Sequence, residues 1–327
     1  MILKFKTHSL YCLCFTLMAC FISCNKTSKL QTEIANINTN IKVERYDSLF
    51  ATSSVKDLPA LKENYPFMFS KQFDDHFWEA KLKDTLQQQL YNEVALVFND
   101  FKTTEKEIEN LFNHLKYYIP NFKAPRVITT TSYVDYRNRI LVTDTLALIS
   151  TDTYLGSNHE FYISIPKYIK ASLTKEQLVV DLATKYAEKY IFQTRKKNLL
   201  DEMIYYGKQL YFKDLVLPFK TEAQRIGYTQ KQLDWAVANE NYIWRYFVER
   251  ELLFSTDAKL PGRFINLAPF SKFQLEGIDT ESPGRIGQYI GWQIVKAYMK
   301  QNDTELEDML NKSAEEIFNN SKFKPRK

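Results

Sequence analysis

All four cysteines of this chain (Cys12, Cys14, Cys20, Cys24) stand within its first 24 residues. The 303 residues after Cys24 must therefore fold without a disulfide, a thiolate metal ligand or a cysteine nucleophile. A packed apolar core has to carry the fold alone. The composition can supply one, with 45% hydrophobic and 15% aromatic residues, including 21 Tyr and 23 Phe. Only eight glycines occur. Neither GxGxxG nor GxxxxGKS/T is present, so a glycine-rich phosphate loop is excluded. No repeat of 20–50 residues is visible.

The cysteines sit in a leader of recognisable layout. Lys4 and Lys6 precede an apolar run from Leu10 to Ile22, and Ser23-Cys24-Asn25-Lys26 then turns polar. That is the charged, apolar, cleavage-site order of an export signal. The run is too short to span a bilayer, which takes about 20 residues. A small residue before a cysteine at the cut reads as a lipoprotein junction, with residues 1–23 removed and Cys24 acylated. Cys20, preceded by Leu17-Met18-Ala19, is the rival anchor. Acyl chains on Cys24 would hold the protein to a membrane surface at about 0.8 kcal/mol per buried methylene. Without Lys4 and Lys6 the formal charge of +5 falls to about +3, too weak for a nucleic-acid binder.

The polar stretch 24–40 reads as a flexible tether, and 41–327 as one α+β domain, mainly helical. A split near residue 120 is the alternative. Ile41–Tyr46 alternates as a strand does. Residues 57–65 suggest a short helix, and 75–99 one long helix along Phe77, Leu82, Leu86, Leu90, Val94 and Val97. A capping box at Thr104 and Glu107 opens a helix to about Tyr118. Residues 126–134 and 139–144 are rich in β-branched residues and look like antiparallel partners around Asp135–Asn138, with 146–150 as a third strand. Beyond Thr174, where Gln177 completes another capping box, helices are expected to about Phe192, near 198–213, 229–238, 240–253, from Ser282-Pro283-Gly284 to about Gln301, and over 304–319.

Catalytic patterns are missing. The histidines after the leader (His76, His114, His159) are more than 35 residues apart, and HExxH and GxSxG do not occur. Asp144, Asp152, Asp201, Glu202, Asp279 and Glu281 are carboxylates in suggestive places, but 39 acidic residues produce such pairs by chance. No catalytic residue, metal ligand, cofactor or small-molecule substrate is assigned. Two stretches stand out for another reason. Met203–Asp214 puts Gly207 inside an aromatic helix, and Glu281–Trp292 holds Gly284, Gly287 and Gly291. Glycine costs a helix about 1 kcal/mol against alanine. Gly287 and Gly291, four residues apart beside Trp292, therefore imply a close approach. A second backbone is one occupant; an interaction groove lined by Gly207, Gly287, Gly291 and Trp292 is the other.

Those stretches, with Trp244–Phe247, Arg263–Asn266, Ala268–Phe273 and the Ser23-Cys24-Asn25-Lys26 junction, resemble the GldB family of gliding-motility lipoproteins of the Bacteroidetes over essentially the whole chain. The resemblance implies a non-enzymatic, lipid-anchored cell-envelope protein required for gliding and supporting the motility and type IX secretion machinery, whose proteins would be its partners. The layout is also distantly similar to a zinc-metallopeptidase (zincin-type) family, which implies a degenerate zincin-like fold with the metal motif lost. Gln177–Tyr190, in the place of the metal helix, has no histidine, and Tyr206-Gly207 replaces the Glu-Gly pair. A divergent hydrolase directed at peptides or glycans and using cleft carboxylates is the alternative function. A glycan-binding module would show exposed tryptophans near Trp244 or Trp292. Surface lipoproteins of the phylum tend to carry acidic residues after the cysteine; Asn25–Lys29 has none, which implies a periplasmic face.

Overall fold

The structure is a computed structural model that describes residues 29–193 and 197–326. Cys20 and Cys24 lie outside them. The chain divides into a leading unit, of which 29–38 is described, and a main unit from Thr39 onward. Within the stretch read as a tether, Lys29–Ala35 form a helix with a Lys29–Glu33 pair one turn apart.

In the main unit the strands are β1 (Val43–Glu44), β2 (Arg126–Thr130), β3 (Ile140–Val142) and β4 (Leu146–Ser150). Helices of eight residues or more, among the described residues, are α1 (Asp75–Leu82), α2 (Thr85–Val97), α3 (Lys102–Tyr118), α4 (Leu178–Tyr190), α5 (Leu199–Val216), α6 (Gln230–Ala238), α7 (Glu240–Glu249), α8 (Ile286–Gln301) and α9 (Ala314–Ser321). The body is mainly helical, as expected, around a small sheet.

The sheet is mixed, in the order β1-β2-β4-β3, and this corrects the expected pairing of 126–134 with 139–144. β2 runs parallel to both β1 and β4, and only β3 and β4 are antiparallel. Local turn chemistry decides it. Thr143 Oγ1 accepts from the Leu146 amide at 3.0 Å, and the Thr143 amide donates to the Leu146 carbonyl at 2.8 Å. A two-residue turn at Asp144-Thr145 thus folds β3 onto β4. The longer segment after β2 is drawn elsewhere. Buried Asp152 accepts from the amides of Ser132 (3.0 Å) and Val134 (2.7 Å), holding Tyr133 and Val134 at left-handed φ of 55° and 61°.

Both sheet faces are covered. Val127, Ala147 and Ile149 join the main core, whereas Ile128, Leu146 and Leu148 face a second cluster built on Tyr46, Phe50, Trp78 and Tyr91. That alternation is what a half-parallel sheet between two helical layers requires.

Side-chain caps redraw several expected helices. Residues 75–99 are two helices, because Asp84 accepts from the Leu86 amide and starts α2 afresh. Phe77 and Leu86, placed on the buried ridge by spacing, are exposed, and Trp78 and Tyr91 are buried instead. Thr104 is a buried interior residue of α3 and not its cap, while Glu107 takes the Lys220 ammonium at 2.7 Å. Thr174 precedes a 3-10 turn without capping through its side chain. The segment 304–319 breaks where Ser313 caps α9 by accepting from the Glu316 amide. The cap of α8 is Arg285, at a left-handed φ of 63°, because Ser282 Oγ is already donated to the Ser271 carbonyl at 2.8 Å.

The central crossing is α5 on α8. A methyl added at Gly207 would overlap the Gly291 carbonyl, and one at Gly291 would overlap the carbonyl of Met203. Backbone meets backbone there, which only glycine permits. Gly291→Ala should therefore lower the unfolding free energy by about 2 kcal/mol or more despite its better helix propensity. Gly262→Ala, with nothing within 4 Å of the new methyl, should be neutral or raise it by about 0.5–1 kcal/mol. Urea unfolding of the two variants checks the contrast; equal effects would contradict the crossing.

Candidate functional site

Of the two occupants expected at Gly207, Gly287, Gly291 and Trp292, the protein itself is the one found, and the notch is not an open groove. Gly287 faces Ile265 and Phe264, with the Ile265 methyl 2.8 Å from where a Cβ would stand. Trp292 is fully buried, donates Nε1 to Asp214 at 2.7 Å and carries the Lys296 ammonium 3.8 Å from its ring centre. Trp244 packs edge-on against Phe323 at 5.2 Å. Trp292 offers no exposed face for a sugar to stack on, and Trp244 is half-buried.

The other suspected residues stand in separate places. His76 is exposed. His114 contacts the Asn110 carbonyl at 2.7 Å, and His159 sits 3.1 Å from Glu93 while accepting from the Phe161 amide. Asp144 pairs with Lys189, Asp152 holds the loop after β2, Asp201 closes a capping box with Asn198, and Asp279 accepts from the amides of Phe273 and Gln274. Glu281 is exposed, and Glu202 lies in the first turn of α5. Among the described residues no group of three or more His, Cys, Asp or Glu could hold a metal ion.

The structure instead gathers charge where the sequence had given no site. A cavity of about 310 Å³ opens between α4, α5, the short helix Glu222–Ile226 and the start of α8. Arg139, Asp181, Lys213, Arg225 and Arg285 line it, and Glu188 stands at its exposed edge. Tyr206, Leu210 and Leu267 supply apolar wall.

Each charged group is placed by a local rule. Tyr206, Gln209 or Leu210, and Lys213 recur every three or four residues on α5, so one face of that helix lines the cavity. Arg139 arrives at the end of the loop before β3 and pairs with Asp181 at 3.0 Å, and Tyr154 donates its hydroxyl to the same carboxylate at 3.0 Å. Burial raises the Asp181 pKa, opposed by the Arg139 charge. Asp214 sits 2.9 Å from Arg225 Nε, an ion pair too bent to be a good hydrogen bond, and 3.7 Å from Lys296.

The other two cations lack such partners. Lys213 Nζ donates to the Arg225 carbonyl at 2.5 Å, and Arg285 Nη2 to the Gly227 carbonyl at 2.9 Å. Both carbonyls close the end of Glu222–Ile226, where Gly227 takes a left-handed φ of 70°. A Cβ at Gly227 would come within 3.2 Å of Arg285 Nη2, so glycine makes room for the guanidinium as well as for the turn. Arg285 also lies 5.5 Å above the Tyr228 ring.

Burial, and after it the neighbouring Arg285 charge, pushes the Lys213 pKa down to about 8. Burial lowers Arg285 too. Sequence reasoning singled out both stretches, Met203–Asp214 and Glu281–Trp292, but for their glycines. A lysine on an otherwise aromatic helix face was the available signal for Lys213; nothing in the sequence placed Arg139 beside it.

The depressed lysine has a consequence for stability. Between pH 8 and about 10.4 the folded protein holds fewer protons at Lys213 than the unfolded chain, so stability rises with pH across that window. Unfolding free energy measured at pH 7.5 and 9.5 should increase by on the order of 2 kcal/mol from this group, and Lys213→Met should remove that part of the rise. An identical pH profile in the variant would refute the assignment.

A family model described as gliding motility protein GldB matches residues 27–325. No curated protein and no solved structure matches the chain.

Proposed function

This chain belongs to the GldB gliding-motility family of lipoproteins, and on that premise we propose that it is a non-catalytic binding component of the cell envelope, held to a membrane by acyl chains. The acyl chains, palmitate among them, are carried on Cys24 once the signal peptide is removed. The body faces the periplasm and supports the motility and type IX secretion machinery through contacts with its proteins. The family match, which spans nearly the whole body, is the observation that carries this reading. The engagement of His114, His159, Asp144, Asp152, Asp201 and Asp279 in separate structural contacts supports a role without hydrolysis. Among the described residues no helix is long and apolar enough to cross a membrane.

Cell fractionation tests the anchor. Cys24→Ala should move the protein from the membrane to the soluble fraction and abolish spreading of colonies over agar. Normal spreading by an unacylated, soluble form would overturn the proposal. Metal analysis of the purified protein tests the absence of catalysis: stoichiometric zinc, together with hydrolysis of a peptide or glycan, would favour the divergent hydrolase.

A further inference from the structure

We propose that the cavity between α4, α5 and the start of α8 binds an oxyanionic group, a carboxylate or a phosphate, on a ligand with a small apolar portion. The argument is a balance of charge. Of the four cations that line the cavity, Arg139 is matched by Asp181 and Arg225 by Asp214. Lys213 and Arg285 remain, each bonded to a main-chain carbonyl. Those carbonyls end a five-residue helix, and even a long helix presents only about half a charge at its C-terminus. With Glu188 at the exposed edge paired to Lys185, the buried ammonium of Lys213 and the half-buried guanidinium of Arg285 exceed the negative charge that faces them.

Charge buried without a counter-charge is strongly destabilising. A chain folding for stability alone would do better with leucine at position 213. An anion entering the cavity would neutralise both groups and use the donors they still have free, since an ammonium offers three and a guanidinium five. Gln209 adds another: it lines the same cavity, is only 4% exposed, and its Nε2 lies beside the Tyr205 hydroxyl without a well-formed hydrogen bond. The apolar wall of Tyr206, Leu210 and Leu267 leaves room for a side chain of about leucine size next to the charged group. The cavity is independent of the lipid anchor, so this inference survives or fails separately from the reading above.

Calorimetric titration of the full-length protein in detergent tests it with three probes: inorganic phosphate, N-acetyl-leucine and the neutral N-acetyl-leucinamide. Saturable one-to-one binding of phosphate or of the acid, without binding of the amide, is the expected result. Which of the two binds identifies the source of the oxyanion. Affinity should fall at least about tenfold in Arg285→Gln and in Lys213→Gln, the loss of a single charge-assisted hydrogen bond. Leu267→Glu, at an exposed position of the wall, should block binding by placing a competing carboxylate there, and it serves should either cavity variant fail to fold. Binding of none of the probes, equal binding of acid and amide, or undiminished affinity in Leu267→Glu would overturn the proposal.

Discussion

The contact of α5 with α8 at Gly207 and Gly291 sets the position of nearly everything else in the helical body. Two helices that touch through side chains keep their axes 8–10 Å apart. Here each glycine faces main-chain atoms of the opposite helix, at a spacing no alanine would permit. Two consequences follow from one constraint. Trp292, next to Gly291, is forced deep enough to reach Asp214 on α5. Arg285, at the start of α8, is carried into the cavity that the Lys213 face of α5 lines. The glycines are not the site; they fix the distance at which the site is built.

Electrostatics then works against the packing. Asp181 and Asp214 are carboxylates that burial pushes upward, and Lys213 is an ammonium that burial pushes down. Arg139 and Arg225 offset the first effect through close ion pairs. Asp181 and Asp214 act on Lys213 too, but each is shared with the arginine it pairs with. A helix end contributes a fraction of a charge, and a neutral carbonyl bonded to an ion is worth far less than the ion's lost hydration. The hydrophobic organisation and the charges disagree in the cavity, as they also do at Lys208, a buried ammonium held by the carbonyls of Leu310 and Lys312.

Much of the fold was legible in the sequence. Periodicity located α5, α6 and α7 to within a few residues, and the β-branched run marked the sheet. What failed was pairing and breaking. The choice between β2–β3 and β3–β4 turns on Thr143 bonding within a two-residue turn and on Asp152, distant from the loop it holds. Long helices were overdrawn where Asp84 and Ser313 cap a new turn, because a cap is visible as a residue type but not as a chosen geometry. Gly287 and Gly291 were correctly read as a point of close approach, but a single chain cannot say whether the occupant is itself. The site was less legible still. Arg139, Asp181, Lys213 and Arg285 come from four separated segments, and no spacing rule links residues that meet only after the sheet and helices have closed.

This difference bears on the kind of work the body can do. A hydrolytic site needs a base with a free lone pair and access to water. Asp181, the carboxylate best placed in the cavity, receives both the Tyr154 hydroxyl and the Arg139 guanidinium on Oδ2, so that oxygen is committed. The free capacity of the cavity is on the donor side, in Lys213, Arg285 and Gln209. Donors fixed in a half-apolar pocket suit the recognition of an anion. Selectivity for the proposed anion would come from the apolar wall that Tyr206, Leu210 and Leu267 put next to the charge.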